Sequence, residues 1–203
     1  MELLQVQNLS TIFSIKAGDV QAVSNVSLSL QKGETIGLVG ESGSGKTTLA
    51  LSICGLLPKE GRVAEGSIRL GDIDLLALTD EQLRQTRWKD ISIVFQGAMN
   101  ALNPVMKVGR QISEAIILHS GCSQEEADKR TRELFTLVEI DPDRVNNYPH
   151  EFSGGMKQRA MIAMALACRP KLIIGDEPTT GLDVMVQAQI LDLMSRLCRD
   201  EDM

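Results

Sequence analysis

The run Gly40-Glu41-Ser42-Gly43-Ser44-Gly45-Lys46-Thr47 constrains the fold more than any other stretch of this chain. It fits the phosphate-binding pattern GxxxxGK[ST], and it lies between an apolar run, Thr35 to Val39, and a helix-forming stretch from Thr47 to Cys54. Strand, glycine-rich turn and helix in that order point to an α/β fold with a parallel sheet. A string of anionic oxygens is best held by backbone N–H donors converging from one concave turn. Gly40, Gly43 and Gly45 let the backbone curl that closely, and the helix that follows aims its positive end at the phosphates. Lys46 supplies a mobile charge for the β and γ oxygens, and the Thr47 hydroxyl is a hard ligand suited to Mg²⁺. Glu41, Ser42, Ser44 and Thr48 complete the expected nucleotide-contacting set. A chance glycine turn would not require the flanking strand and helix.

Two later segments bear on the same chemistry. Leu172-Ile173-Ile174-Gly175 reads as a buried strand, so Asp176 emerges at its carboxyl end, where α/β sheets place their ligands. Asp176 is expected to hold Mg²⁺, and Glu177 to orient or deprotonate the attacking water; the bland alternative is a solvated acidic turn before Pro178. Ser153 can cap the helix that follows it, while Gly154 and Gly155 leave its first N–H groups bare for an anion.

The order of the phosphate loop, Gln96, Phe152-Ser153-Gly154-Gly155-Met156, Asp176-Glu177 and Thr180-Gly181-Leu182-Asp183 resembles the nucleotide-binding subunit of an ABC transporter over almost the whole chain. Phe95-Gln96-Gly97-Ala98-Met99-Asn100-Ala101-Leu102-Asn103-Pro104 and Tyr148 to Arg159 are similar to the dipeptide, oligopeptide and nickel importers of that family. The resemblance implies a P-loop NTPase cassette with a RecA-like core, an N-terminal antiparallel β-subdomain and an inserted helical lobe. Residues 1–96 would carry the β-subdomain and phosphate-loop part of the core, 97–152 the lobe, and 153–203 the signature helix, acidic strand, D-loop and following helix.

It also implies ATP and Mg²⁺ as ligands. Two cassettes would face head to tail, Ser153, Gly154 and Gly155 of each closing on ATP held by the other. Further implied partners are transmembrane permease subunits and, indirectly, an extracytoplasmic substrate-binding protein. Gln96 would reach Mg²⁺ or the attacking water and report nucleotide state to the lobe; Phe13, the aromatic nearest the N-terminal hairpin, would stack on adenine or belong to the core. Asp183 would cap the next helix and also touch the dimer interface. Met99, Leu102, Val105 and Met106 are candidates for gripping a membrane subunit, or for ordinary lobe packing. The function implied is an ATPase that powers import of peptides or nickel; the alternatives are a binding module that does not hydrolyse and a soluble ABC ATPase without a transporter.

Two departures from the family pattern stand out. The signature has Phe152 where Leu is commonest and Met156 where Gln is, with Ser-Gly-Gly intact. The family's switch histidine follows the helix after the D-loop, yet the sequence ends 26 residues (203 − 177) beyond Glu177, and its two histidines, His119 and His150, precede the acidic pair. This reads as a truncated cassette, with weak turnover expected and Mg-ATP binding preserved. Both histidines are expected to be structural.

Composition fits this reading. With 203 residues, 43% of them apolar, the chain can bury a sizeable core. A net charge of −6 argues against general nucleic-acid binding. No apolar run approaches the roughly 18 residues of a membrane helix, and the N-terminus lacks a secretory pattern, so a cytoplasmic protein held on the inner face of the membrane by a partner is expected. Cys54, Cys122, Cys168 and Cys198 are scattered and form no CxxC pair, which favours reduced, packed thiols. Leu4-Val6 and Val26-Leu28-Leu30 alternate as half-buried antiparallel strands around a hairpin loop from Ser14 to Asp19. A short strand is expected within Gly61 to Leu70 and a buried strand from Ile91 to Phe95. Ser123 and Glu126 form a capping box for a helix ending near Glu139.

Overall fold

The computed structural model describes residues 2–95, 97, 101–200 and 203. The chain divides into two compact units, one over residues 1–87 and one that begins at Trp88.

The first unit is built on alternation. β1 (Glu2–Ile15) pairs antiparallel with β2 (Gly18–Gln31) on one side and with β3 (Gly61–Leu70) on the other, and β3 turns into the short β4 (Ile73–Asp74). Leu4, Val6, Leu9, Val23, Leu30, Ile68 and Leu70 are buried, as period-2 burial on one sheet face requires. The register slips between Val6 and Leu9, where Asn8 takes positive φ, and again between Leu9 and Thr11, where the facing strand's Asn25 does; Asn tolerates that conformation better than other residues with a Cβ. Pairing of β1 with β2 continues to Ile15 opposite Gly18, so the expected loop from Ser14 to Asp19 shrinks to a two-residue turn at Lys16 and Ala17. Likewise β3 is a ten-residue strand rather than a short one, because β1 offers it a full ladder.

α1 (Lys46–Cys54) lays Leu49, Ala50, Ile53 and Cys54 into the interior, and a buried hydrogen bond of 2.9 Å between Ser52 Oγ and Thr11 Oγ1 ties it to β1. α2 (Asp80–Thr86) starts on a capping box from Thr79 and Gln82. One expectation fails here. Thr35 to Val39 forms no strand among the described residues, and Leu38 and Val39 are 50% and 99% exposed. An apolar run becomes a strand only where neighbouring strands supply its hydrogen bonds, and the antiparallel sheet of this unit, in the order β2-β1-β3-β4, does not take it in.

The second unit holds the parallel pair. β5 (Ile91–Val94) and β6 (Leu172–Gly175) run in register from Ile91 opposite Leu172 to Val94 opposite Gly175. Around them lie α3 (Val108–Ser120), α4 (Gln124–Leu137), α5 (Gly154–Ala165) and α6 (Val184–Asp200). Their shared interior includes Val108, Ile112, Leu134, Phe135, Ile162 and Leu193, and Phe135 meets Phe152 edge to face at 6.4 Å. α4 has the expected capping box from Ser123 and Glu126, and it stops at Val138 because Glu139 turns to φ +60°. Leu102, a candidate for gripping a partner, is buried in this core; Val105 is 81% exposed, and Met99 lies outside the described residues. A leucine opposite apolar helix faces gains more by packing than by facing solvent.

Candidate functional site

The first unit presents a phosphate loop built around its own lysine. Lys46 curls back so that its ammonium donates to the carbonyl oxygens of Gly40 (2.7 Å) and Glu41 (2.8 Å) and to Ser44 Oγ (3.4 Å). The half-buried charge is thereby held inside the turn formed by residues 40–46. Gly45 precedes α1 with φ +92°, and a Cβ there would stand 2.4 Å from the Ala22 carbonyl oxygen of β2. Only glycine fits that position. α1 has no side-chain cap and no acidic residue in its first turn, so the positive end of its dipole favours an anion. Glu41, Ser42, Gly43, Ser44 and Thr47 are exposed along the loop and Thr48 is half-buried.

Phe13 lies on β1 between Val20 and Gly61 of the neighbouring strands, and its ring covers Gly61 so closely that a Cβ there would meet it at 2.8 Å. It is half-buried.

The second unit brings the remaining residues together on three adjoining segments. Asp176 continues the β5–β6 ladder, its N–H donating to Val94 O at 2.9 Å, and is 7% exposed. A buried carboxylate whose backbone is fixed by the ladder at the carboxyl end of a strand has little positional freedom. Glu177 turns the opposite way: φ +48° swings it to the surface, where its carboxylate accepts the Thr180 hydroxyl at 3.1 Å and its carbonyl accepts Thr180 N–H at 3.2 Å. A left-handed conformation costs a non-glycine residue about 1–2 kcal/mol, which the two Thr180 bonds offset. The residues 179–183 then fold into a turn ending at Asp183, whose Oδ1 accepts Val186 N–H at 3.1 Å and starts α6.

Ser153 caps α5 through a 3.3 Å bond from Met156 N–H. As in α1, no acidic residue sits in the first turn, and Lys157 adds positive charge. Gly155 is where α5 and α6 touch: a Cβ there would be 2.9 Å from Val186 Cγ1. The signature helix and the helix that follows the D-loop are therefore packed against each other at their starts.

Further along each helix, Glu139 joins both. It accepts from Arg159 of α5 at 2.5 Å and from Arg196 of α6 at 2.6 Å, and Arg159 also reaches Val138 O at 3.0 Å. The Arg196 and Arg159 hydrogen bonds, in that order, hold the Glu139 carboxyl below its ordinary range. Sequence reading passed over Thr180 and this triad. Thr180, three residues after Glu177, had a local signal in the spacing typical of side-chain turns; Glu139, Arg159 and Arg196 are too far apart in sequence to have had one. Gln96 lies outside the described residues. His119 stacks on Trp88 at 5.5 Å and His150 on Tyr148 at 5.8 Å.

Among the described residues no group of three His, Cys, Asp or Glu side chains could cage a metal ion. The Thr47 hydroxyl of the first unit and the Asp176 carboxylate of the second are each oxygen groups of the kind Mg²⁺ takes as ligands.

Residues 23–180 match the protein family described as ABC transporter. Among curated relatives, the oligopeptide transport ATP-binding protein AppD of Bacillus subtilis is 47% identical over 97% of this chain and 61% of its own length. OppD of Escherichia coli is 48% identical over 98% and 59%, and the dipeptide transport ATP-binding protein DppD of Haemophilus influenzae 48% identical over 100% and 62%. The chain thus spans about three fifths of the length of these relatives. Among solved structures, the dimeric ATP-binding cassette MJ0796 in a post-hydrolysis state with ADP and Pi superposes with a TM-score of 0.84 at 30% identity, covering 98% of this chain and 84% of that one. The cassette cbiO1 of Clostridium perfringens gives 0.83 at 26%, covering 99% and 75%.

Proposed function

The chain belongs to the ABC transporter family and has the fold of its ATP-binding cassettes, and from that premise we propose that it binds and hydrolyses ATP to drive import of peptides. The observation that carries the reading is that one chain has two helix starts, after Gly45 and after Ser153, with no acidic residue in the first turn and a lysine nearby. One nucleotide needs one such cradle for its phosphates. The second is explained by a second cassette, whose ATP it meets.

In this reading the backbone N–H groups of residues 43–47 and the Lys46 ammonium bind and orient the β and γ phosphates. Lys46 exchanges its carbonyl partners for phosphate oxygens, which form shorter and stronger charge-assisted bonds. Thr47 and Asp176 would each offer an oxygen ligand to Mg²⁺, which would supply neutralisation of the phosphate charge when bound. Glu177, oriented by Thr180, positions the attacking water and accepts its proton. Gln96 reports nucleotide state, Phe13 stacks on adenine and Asp183 contributes to the dimer interface. The three-part division at residues 96 and 152 belongs to the same proposal.

The peptide cargo comes from the names of the relatives, which are oligopeptide and dipeptide transport ATP-binding proteins. A cassette touches ATP and a membrane subunit rather than the cargo. No helix among the described residues is long and apolar enough to cross a membrane, so permease subunits would hold the protein at the inner face and a substrate-binding protein would act from the other side. Steady-state Mg-ATP hydrolysis tests the reading: the chain turns over ATP, and Glu177→Gln abolishes turnover while retaining binding. Unchanged turnover in Glu177→Gln would refute the assignment of the base.

A further inference from the structure

In the second unit, the end of α3, one face of α4 and the segment after α5 border an open surface cleft of about 350 Å³. That volume falls within the roughly 300–1,000 Å³ of small-molecule sites. Two thiols line it, Cys122 just before α4 and Cys168 just after α5, together with three cations, Lys129, Arg130 and Arg169. None of these residues belongs to the ATP site described above.

The charges are unequally committed. The two lining carboxylates are engaged locally: Glu126 accepts from Ser123 N–H (2.9 Å) and Oγ (2.8 Å), and Glu133 pairs with Arg130 at 3.5 Å. Lys129 and Arg169 make no ion pair with any described residue. An open cleft with two uncommitted cations favours an anionic occupant on a chain whose net charge is −6. The thiols differ as well. Cys168 is packed between Ser120 Oγ, which donates to its sulfur at 4.0 Å, and the Ala115 carbonyl, which accepts from it at 4.0 Å. Burial pushes its thiol up, so it stays protonated. Cys122 is half-buried and has no such clasp.

We propose that Cys122, with Lys129 and Arg169 beside it, is a site of thiol modification by small anionic disulfides. The Cys122 thiolate attacks one sulfur of the disulfide; a new S–S bond forms to Cys122, the old S–S bond breaks, and the departing thiolate takes a proton from water. Cys122 is oxidised to a mixed disulfide and half of the reagent is reduced to thiol. The cations hold the carboxylates of the attached half within the cleft.

The test compares oxidised glutathione, an anionic disulfide, with cystamine, a cationic one, on the whole chain at pH 8 and low salt, following adducts by intact mass and peptide mapping. Glutathione is expected to add at Cys122 faster than cystamine, on the order of fivefold. Lys129→Gln with Arg169→Gln should reverse the preference, and Cys122→Ser should remove the adduct. Cys54, buried with its thiol pushed up to about 12, is an internal control that should not react. Faster addition of cystamine at Cys122, as the overall negative charge alone would give, would overturn the proposal. So would an adduct at another cysteine, or a Cys122–Cys168 disulfide in place of the adduct.

Discussion

Glu139→Gln removes the charge that links α5 to α6 while preserving size and backbone preference at φ +60°. The two partners do not weigh equally. Arg196 lies toward solvent, where screening erases most of the Coulomb gain, whereas the Arg159 side chain is only 13% exposed and would lose its charged acceptor, retaining Val138 O. A hydrogen bond to a charged group is worth about 1.5–3 kcal/mol when desolvated. The Glu139 side chain is 46% exposed, so that figure is discounted for screening to about 1–2 kcal/mol. The two arginines depress the carboxyl, so its stabilisation is complete above the unfolded value of about 4.3 and is lost as pH falls through the lower folded value. Urea unfolding followed by the fluorescence of the chain's single tryptophan, Trp88, reports on the same unit. The wild type should exceed Glu139→Gln by about 1–2 kcal/mol at pH 7, and the gap should narrow below about pH 4. A gap below about 0.3 kcal/mol at pH 7, or one that persists unchanged into acid, would refute this reasoning.

Gly45→Ala drives a Cβ into the Ala22 carbonyl oxygen at a positive φ, so it should abolish Mg-ATP binding by calorimetry and lower the stability of the first unit by more than about 1 kcal/mol. Gly155→Ala presses on Val186, and should weaken ATP-dependent self-association in a way that adding Val186→Ala substantially restores. Thr180→Val removes the hydroxyl bound to Glu177; kcat should fall about tenfold with KM little changed, since the lost contact orients the base rather than the nucleotide.

Local patterns were the readable part of this sequence. The capping box at Ser123 and Glu126, the caps at Ser153 and Asp183 and the strand before Asp176 each state their own geometry within a few residues, although of that strand only Leu172 is buried. Reading failed where the outcome depends on partners. Thr35 to Val39 has the composition of a buried strand but pairs with nothing among the described residues, and the length of β3 was set by the fourteen residues of β1 opposite it. Leu102 read equally as a partner anchor or as lobe packing, and the core of the second unit takes it in. The Glu139 triad was invisible for the same reason: its members stand 20 and 57 positions apart and meet only once three helices are packed.

The most direct measurement is sedimentation of Glu177→Gln with and without Mg-ATP. If two cassettes close around ATP, with Ser153 to Gly155 of each meeting the other's nucleotide, the protein should be monomeric without ATP and dimeric with it, and Ser153→Arg should prevent the dimer without preventing ATP binding. A chain that binds Mg-ATP to saturation and stays monomeric at high protein concentration would contradict that closure.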